Sequence, residues 1–194
     1  MSKAILIIGE SGSGKTTSLR NLPPDETFYI DADGKGLSWK GWRNQYNKQK
    51  KHYIKTDDPD MVYKLMEEIH SKQKQFKMRR TKEKGYDKWM DLAQSVFNIV
   101  DVSNKLRDDL TVIMLGHAQT SDDGFTCLLT NGRKLNKIRL ESKLTTVLLS
   151  KAKDGQYVFE TKAHNSTAKT PMGAIEEDEI PNDIMPVIKA LEEF

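Results

Sequence analysis

The chain has 194 residues, of which 37% are hydrophobic and 30% are charged, a balance typical of a folded globular protein rather than a disordered one. Its 31 basic and 28 acidic residues leave a formal net charge of +3, which is too small to indicate nucleic-acid binding by itself. The single cysteine, Cys127, excludes an intramolecular disulfide, and no apolar run approaches the roughly 20 residues of a membrane helix. We therefore expect a cytoplasmic protein without membrane contact.

Strand and helix signals alternate along the first half of the chain. The isoleucine-rich run at residues 4–8 ends at a glycine and predicts a buried parallel strand. A helix is expected from about Gly14 to Asn21, because Pro23-Pro24 then breaks the chain. Residues 27–31 predict a second buried strand, residues 32–36 a loop, and residues 53–55 a short third strand.

The second half continues the alternation. Apolar residues at helical spacing follow Asp58-Pro59 and recur from Trp89 to Leu106, which predicts two amphipathic helices. Residues 110–116 predict a further strand, residues 145–150 and 156–161 a hairpin that turns at Asp154-Gly155, and the segment after Pro181-Asn182-Asp183 a last helix. This order predicts one α/β domain over residues 1–194, with a mostly parallel sheet flanked by helices and a C-terminal β-hairpin.

Residues 9–16, called the phosphate loop below, match the pattern G-x-x-x-x-G-K-[ST] at every fixed position. Glycines let the backbone wrap around a phosphate chain, and free N–H groups at a helix start attract the anion. Lys15 supplies charge to the outer phosphates, and the Thr16 hydroxyl suits Mg²⁺. The pattern therefore predicts that the protein binds ATP with Mg²⁺. The predicted nucleotide contacts are Gly9, Glu10, Ser11, Gly12, Ser13, Gly14, Lys15, Thr16 and Thr17.

Other classes of phosphate-loop protein fit the sequence less well. GTPases need an Asn-Lys-x-Asp motif, but in the run from Asn104 to Asp108 the aspartate falls one place late. The Leu-Ser-Gly-Gly-Gln-like segment of transporter ATPases is absent. A small-molecule or nucleotide kinase needs an acceptor site, which nothing in the sequence marks, although the basic residues near Arg79 would suit a lid. A kinase and a non-catalytic nucleotide-binding regulator remain as alternatives.

Two further segments resemble RecA-like ATPases. Residues 29–34, Tyr-Ile-Asp-Ala-Asp-Gly, are similar to the Y-I-D-T-E-G segment that ends the second strand of RecA-type recombinases. The resemblance implies that Asp33, in the place of a glutamate, activates the attacking water. Residues 112–119 resemble a later strand of the family that ends in a polar residue sensing the γ-phosphate, a role for His117 or Gln119.

A closer resemblance is to phage nucleotide-binding proteins with an AAA-like, RecA-type core, including phage single-strand annealing ATPases. The phosphate loop carries it, together with residues 78–89, 105–110, 167–173 and 180–183. The resemblance implies an ATPase that supports phage DNA recombination or replication in the cytoplasm of a bacterial host. It also implies single-stranded DNA and a phage single-strand-binding protein as partners, and a homo-oligomer.

One strand of the RecA-like pattern is missing. The family has a Walker B strand, an apolar run ending in an aspartate that holds Mg²⁺, just before the segment matching residues 78–89. Here the chain passes from Ile69 to Met78 without such a run, and we expect the missing strand beside the strand that carries the phosphate loop. Three explanations stay open: a segment lost from the sequence, a natural variant that hydrolyses poorly, or replacement by another segment such as Val100-Asp101. Asp31 is the remaining candidate for a metal carboxylate.

Basic residues concentrate at residues 48–52 and 72–84, and three aromatic residues, Trp39, Trp42 and Tyr46, accompany the first segment. Charge for phosphates together with rings for bases is the composition of a single-stranded nucleic-acid site. A solvated surface above half-buried tryptophans explains the same pattern. The sequence leaves both interpretations open.

Overall fold

The computed structural model describes residues 3–47, 49, 52–71, 88–130 and 139–194, and within 88–93 it describes the backbone alone. The strands are β1 (Lys3–Gly9), β2 (Tyr29–Asp31), β3 (Tyr53–Lys55), β4 (Thr111–Thr120), β5 (Thr126–Leu128), β6 (Thr146–Lys153), β7 (Gln156–Glu160) and β8 (Glu179–Pro181). The helices are α1 (Trp42–Gln45), α2 (Pro59–Ser71), α3 (Lys88–Ser103) and α4 (Ile184–Glu193), with 3₁₀ turns at Thr17–Leu19 and Leu140–Lys143.

The main sheet has six strands in the order β5-β4-β1-β6-β7-β8. β1 pairs in parallel with both neighbours, so that Ile8 lies beside Gly116 of β4 and Leu149 of β6. The outer pairs are antiparallel, and β6 returns as β7 through Asp154 and Gly155, whose φ angles of 50° and 76° form the predicted tight turn. The predicted α/β P-loop architecture is confirmed, with a mixed sheet that is parallel at its centre.

Helices cover both faces of this sheet. Successive residues of β1 and β6 point to opposite faces, as the pleat of a strand requires. One face packs against α3 through Val96, Phe97 and Val100. The other packs against α4 and against the 3₁₀ turn after the phosphate loop, through Ile184, Val187 and Leu19. The isoleucines of β1 are fully buried between the two layers, which explains the uninterrupted apolar run seen in the sequence.

A second, two-stranded sheet joins β2 and β3 in parallel. Its side chains form a separate aromatic cluster in which Leu37, Tyr46 and Tyr53 are buried. Tyr29 and Trp39 belong to this cluster and also pack on the α4 face of the main sheet, so they connect the two sheets. β3 spans the residues that the sequence predicted, and β2 is shorter than predicted.

The prediction of a helix from Gly14 to Asn21 is wrong. The structure has only a 3₁₀ turn there, with Leu19 N–H donating to the Thr16 carbonyl and Arg20 N–H to the Thr17 carbonyl, both at 3.2 Å. Ser18 Oγ donates back to the Lys15 carbonyl at 2.6 Å. Such local side-chain bonds compete with helix continuation, and the two prolines that follow leave little room for a longer helix.

The other predicted helices and the hairpin are present. α2, α3 and α4 occupy the expected segments, and Asp183 caps α4 by accepting from Met185 N–H at 3.0 Å. Val100-Asp101 lies within α3, where Asp101 pairs with Lys105 at 2.5 Å, so this pair does not end a strand. None of the helices in the described ranges is both long and apolar enough to cross a membrane.

The place predicted for the missing strand is already occupied. β1 has β4 on one side and β6 on the other, so a Walker B strand cannot lie directly beside it. Within the described residues, the outer edge of β4 pairs with β5 only at Ala118–Thr120 and is otherwise without a strand partner. The sheet is therefore open beyond β4. Residues 72–87, where the sequence interruption falls, lie outside the described residues.

Candidate nucleotide-binding site

The phosphate loop follows β1 directly, and its glycines are required by its geometry. Gly12 and Gly14 have φ angles of 79° and 93°, a region that side chains strongly disfavour. A Cβ on Gly9 would lie 2.5 Å from Ser13 Oγ and 2.6 Å from the Ser150 carbonyl oxygen. The three glycines thus allow a tight backbone curve against β6. Glu10, Ser11 and Gly12 form the exposed tip of the loop.

The Lys15 side chain lies back across the phosphate loop. Its Nζ donates to the carbonyl oxygens of Gly9 at 2.8 Å and Glu10 at 2.6 Å. Burial lowers the pKa of Lys15, and the nearby negative charge of Asp33 opposes that shift. The half-buried ammonium therefore sits at the mouth of the loop, where phosphate oxygens would be stronger partners than neutral carbonyls.

A chain of hydrogen bonds anchors the phosphate loop to the C-terminal part of the protein. Ser150 Oγ donates to the Ser13 carbonyl at 2.6 Å, and Asn182 Nδ2 donates to Ser150 Oγ at 3.1 Å. Arg20 then donates to the Asn182 carbonyl at 2.8 Å. Ser150 and Asn182 are buried, so these hydrogen bonds hold the phosphate loop against β6 on its buried side. Sequence reasoning missed both residues, although Ser150 ends a predicted strand on the carboxyl side, where such sheets bind ligands.

Asp31 organises the loop at residues 32–36, called the aspartate loop below. Its Oδ1 accepts from Gly34 N–H and its Oδ2 from Gly36 N–H, both at 2.8 Å. The Tyr53 hydroxyl also donates to Oδ2. Burial alone would raise the pKa of Asp31, but these three donors hold it below its ordinary value. Asp31 is thus a buried carboxylate that shapes the loop carrying Asp33.

The aspartate loop lies beside the phosphate loop. Thr17 Oγ1 is 2.9 Å from Ser38 Oγ, and Lys55 Nζ donates to the Gly34 carbonyl at 2.7 Å. Asp33 is exposed, pairs with Lys35 at 3.1 Å, and is close enough to Lys15 to influence its pKa. The structure therefore brings Asp33, predicted from the resemblance alone, near the end of the phosphate loop.

His117 and Gln119 differ in their distance from the phosphate loop. In the β1–β4 register His117 lies directly opposite Gly9, the first residue of the loop. Gln119 is two residues further along β4, and its Nε2 is 3.6 Å from Cys127 Sγ on β5. Both lie on the same face of β4 as Ile113 and Leu115, which pack on the side that also holds the turn after the phosphate loop. Of the two, His117 has the better position for contact with bound phosphate.

The metal-binding candidates fit an ion that arrives with a nucleotide. Among the described residues, no group of three or more His, Cys, Asp or Glu side chains could hold a metal ion. Mg²⁺ needs only one or two protein oxygens when phosphates and water supply the rest. The Thr16 hydroxyl is such an oxygen. Asp31 offers less, because Oδ2 already accepts two hydrogen bonds and Oδ1 accepts one.

The aromatic residues of the first basic segment pack internally. Tyr46 is 2% exposed, Trp39 Nε1 donates to Gln45 Oε1 at 2.7 Å, and the Trp42 ring lies 5.3 Å from the Tyr53 ring. These contacts support the interpretation as a half-buried aromatic core. Residues 48, 50, 51 and 72–84 lie outside the described residues, and DNA binding stays a prediction.

A protein-family model with the description AAA domain matches residues 1–171 of the chain. The match includes the phosphate loop, the aspartate loop, β4 and the β6–β7 hairpin. It ends before β8 and α4, so Asn182 lies outside the matched range. No curated protein matches the chain.

Proposed function

Because this chain belongs to the AAA domain family of nucleotide-binding P-loop NTPases, we propose that it is an ATPase that acts with single-stranded DNA in phage recombination or replication. The observation that carries the proposal is the juxtaposition of two loops. Thr17 and Ser38, which follow the two loops, are in contact at 2.9 Å, and the charge of Asp33 in the aspartate loop acts on Lys15 of the phosphate loop. A phosphate-binding cation and an exposed carboxylate beside it are two of the groups that hydrolysis of a bound triphosphate needs.

Binding begins with an exchange of partners at Lys15. The ammonium leaves the Gly9 and Glu10 carbonyls for the β- and γ-phosphate oxygens, while the backbone N–H groups of the phosphate loop surround the phosphate chain. The Thr16 hydroxyl and water would hold Mg²⁺ against those oxygens. When bound, Mg²⁺ supplies positive charge that offsets the charge on the β- and γ-phosphates.

Asp33 then positions the attacking water. The water oxygen forms a bond to the γ-phosphorus while the bridging P–O bond breaks, and ADP leaves with the electron pair. The proton from water passes to the Asp33 carboxylate and from there to solvent, which the exposure of this side chain permits. Asp33 is one methylene shorter than the glutamate of the RecA-like segment. His117, which lies on β4 opposite Gly9, contacts the γ-phosphate and thereby senses whether a triphosphate is bound.

The DNA-related part of the proposal rests on the sequence resemblance and on the two basic segments. Charged segments at residues 48–52 and 72–84 suit the phosphates of single-stranded DNA. A homo-oligomer and a phage single-strand-binding protein are the partners that the resemblance implies, in the cytoplasm of a bacterial host.

ATP turnover measured with and without single-stranded DNA tests this proposal. We expect DNA to raise the rate of phosphate release, and Asp33→Asn to lower that rate about 100-fold while nucleotide affinity is kept. Asp25→Asn, an equivalent change at an exposed site, is the control and is expected to leave turnover unchanged. Unchanged turnover in Asp33→Asn would remove the assigned role of this residue, and DNA-independent turnover would remove the role of DNA.

A second candidate function is a non-catalytic nucleotide-binding regulator. It is favoured by the open outer edge of β4, where no described strand supplies the Walker B aspartate. Tight ATP binding without phosphate release, with or without DNA, would select this alternative. Transfer of phosphate to an added acceptor would instead select the kinase.

A further inference from the structure

Tyr157 occupies an unusual position beside the phosphate loop. It is the second residue of β7 and lies on the same face as Phe159, two residues further on, which is fully buried on the α4 face of the sheet. Tyr157 therefore projects from the same face of the sheet, at the edge of the buried core. That face also holds the turn that follows the phosphate loop.

The Tyr157 side chain touches the backbone of the phosphate loop at Gly14. A Cβ built on Gly14 would lie 2.6 Å from Tyr157 Cγ, 2.9 Å from Cδ1 and 3.0 Å from Cβ. Gly14 thus accommodates the tyrosine as well as its own positive φ angle. The aromatic ring and the backbone that would hold phosphates are in direct contact.

The Tyr157 ring is nevertheless exposed. The residue as a whole leaves 45% of its surface accessible, whereas Phe159, its neighbour on the same face, leaves none. Within the described residues its hydroxyl has no hydrogen-bond partner. A ring that only supported the loop would be buried beneath it, as aromatic side chains in a core usually are. The exposed surface beside a phosphate site is available to a flat, apolar group of a ligand.

The backbone under this ring is firmly held. Tyr157 pairs with Ala152 across the hairpin, and its carbonyl accepts from Asn182 N–H at 3.2 Å. Asn182 in turn belongs to the hydrogen-bond chain that anchors the phosphate loop through Ser150. The ring and the loop are therefore fixed to the same support, and their separation is preset before a ligand binds.

We propose that Tyr157 is the stacking platform for the base of the bound nucleoside triphosphate. The inference rests on the proposed function, because it requires that the phosphate loop holds the phosphates. One ribose separates the base of a nucleotide from its α-phosphate, so a base on Tyr157 leaves its phosphates at the adjoining loop. Stacking of a base on an aromatic ring is tolerant of base identity. Tyr157 accordingly contributes affinity for nucleosides without selecting strictly for adenine.

The test compares a ligand with a base and a ligand without one. ATP and inorganic tripolyphosphate are titrated calorimetrically into the wild type, Tyr157→Ala, Tyr157→Phe and the control Tyr63→Ala on α2. We expect Tyr157→Ala to lose about 10-fold in ATP affinity and nothing in tripolyphosphate affinity. Tyr157→Phe and Tyr63→Ala are expected to bind both ligands as the wild type does.

A spectroscopic measurement supports the same comparison. 2-Aminopurine riboside triphosphate is expected to lose fluorescence on binding to the wild type and to Tyr157→Phe, because a stacked ring quenches it, and to keep it on Tyr157→Ala. Equal losses of ATP and tripolyphosphate affinity in Tyr157→Ala would show that the ring only supports the loop, and unchanged ATP affinity would place the base elsewhere. Either result overturns the inference about Tyr157. ATP binding that depends on Lys15 would still support nucleotide binding, on which the proposed function rests. Failure of the wild type to bind either ligand would overturn both.

Discussion

The strand that carries the phosphate loop has two neighbours, and they are built differently. On one side, β6 buries Val147, Leu148 and Leu149 almost completely and is covered further by β7 and β8. On the other side, the apolar residues of β4 are only half-buried, and within the described part of the chain most of the outer edge of β4 has no strand beside it. The β6 side, where further strands cover the sheet, is called the closed side below. The β4 side, where most of the edge is uncovered within the described residues, is called the open side.

The difference separates two parts of an ATPase site. The groups that shape and support the phosphate loop, Ser150 and Asn182, belong to the closed side. His117, the proposed γ-phosphate sensor, and the place where a Walker B strand would add its carboxylate belong to the open side. The described residues therefore support the phosphate loop fully, whereas the proposed hydrolysis depends on Asp33 and on what covers β4.

The largest expected effect comes from truncating the core on each side. Leu148→Ala on β6 should lower the free energy of unfolding by about 3 to 4 kcal/mol, because the site is fully buried. Leu115→Ala on β4 should cost only about 1 kcal/mol, since this side chain is half-buried. Urea unfolding of both variants measures the difference. Equal costs would show that the outer side of β4 is covered in solution, for example by a second copy of the chain.

The second prediction tests whether contacts within the two-stranded β2–β3 sheet also stabilise the protein. Tyr53→Phe removes a donor from the buried Asp31 carboxylate and should lower the free energy of unfolding by about 2 kcal/mol at neutral pH. Because the pKa of Asp31 is lowered in the folded protein, the contribution is present above the ordinary value of about 3.9 and is lost as pH falls through the folded pKa. Unfolding measured from neutral to acidic pH should show the two proteins converging below about pH 4. A difference independent of pH would contradict this assignment.

The smallest effect compares hydroxyl groups on the two sides. Ser150→Ala leaves the Ser13 carbonyl and the Asn182 amide without their partner and should cost about 1 kcal/mol of stability. It should also weaken ATP binding several-fold, because the phosphate loop loses its anchor. Thr120→Val removes a similar hydroxyl contact to Thr126 on the open side and should leave ATP affinity unchanged. Calorimetric titration of both variants decides whether the closed side alone supports binding.

Local signals predicted much of this architecture. The isoleucines of β1, the glycines of the phosphate loop, the Asp154-Gly155 turn and the Asp183 cap each act within a few residues, so the sequence displays them directly. The short 3₁₀ turn after the loop escaped prediction, because the Ser18 hydroxyl bonds to the Lys15 carbonyl and the Leu19 N–H bonds to Thr16 instead.

Contacts between distant segments could not be predicted in the same way. Ser150 and Asn182 reach the phosphate loop only because β6 lies beside β1 and α4 begins at the same end of the sheet. The Tyr53–Asp31 contact likewise depends on the pairing of β2 with β3. The order of strands is a property of the whole chain, and that order also placed β4 where the missing strand was expected.

Calorimetric titration of ATP with Mg²⁺ tests most directly whether the phosphate loop binds a nucleoside triphosphate through Lys15. Lys15→Ala should lower ATP affinity about 30-fold or more, equivalent to about 2 kcal/mol, because a charge-assisted contact to phosphate is lost. Lys64→Ala, which removes the same charge from an exposed position on α2, should bind ATP as the wild type does. Equal ATP affinity in the wild type and Lys15→Ala would contradict the account.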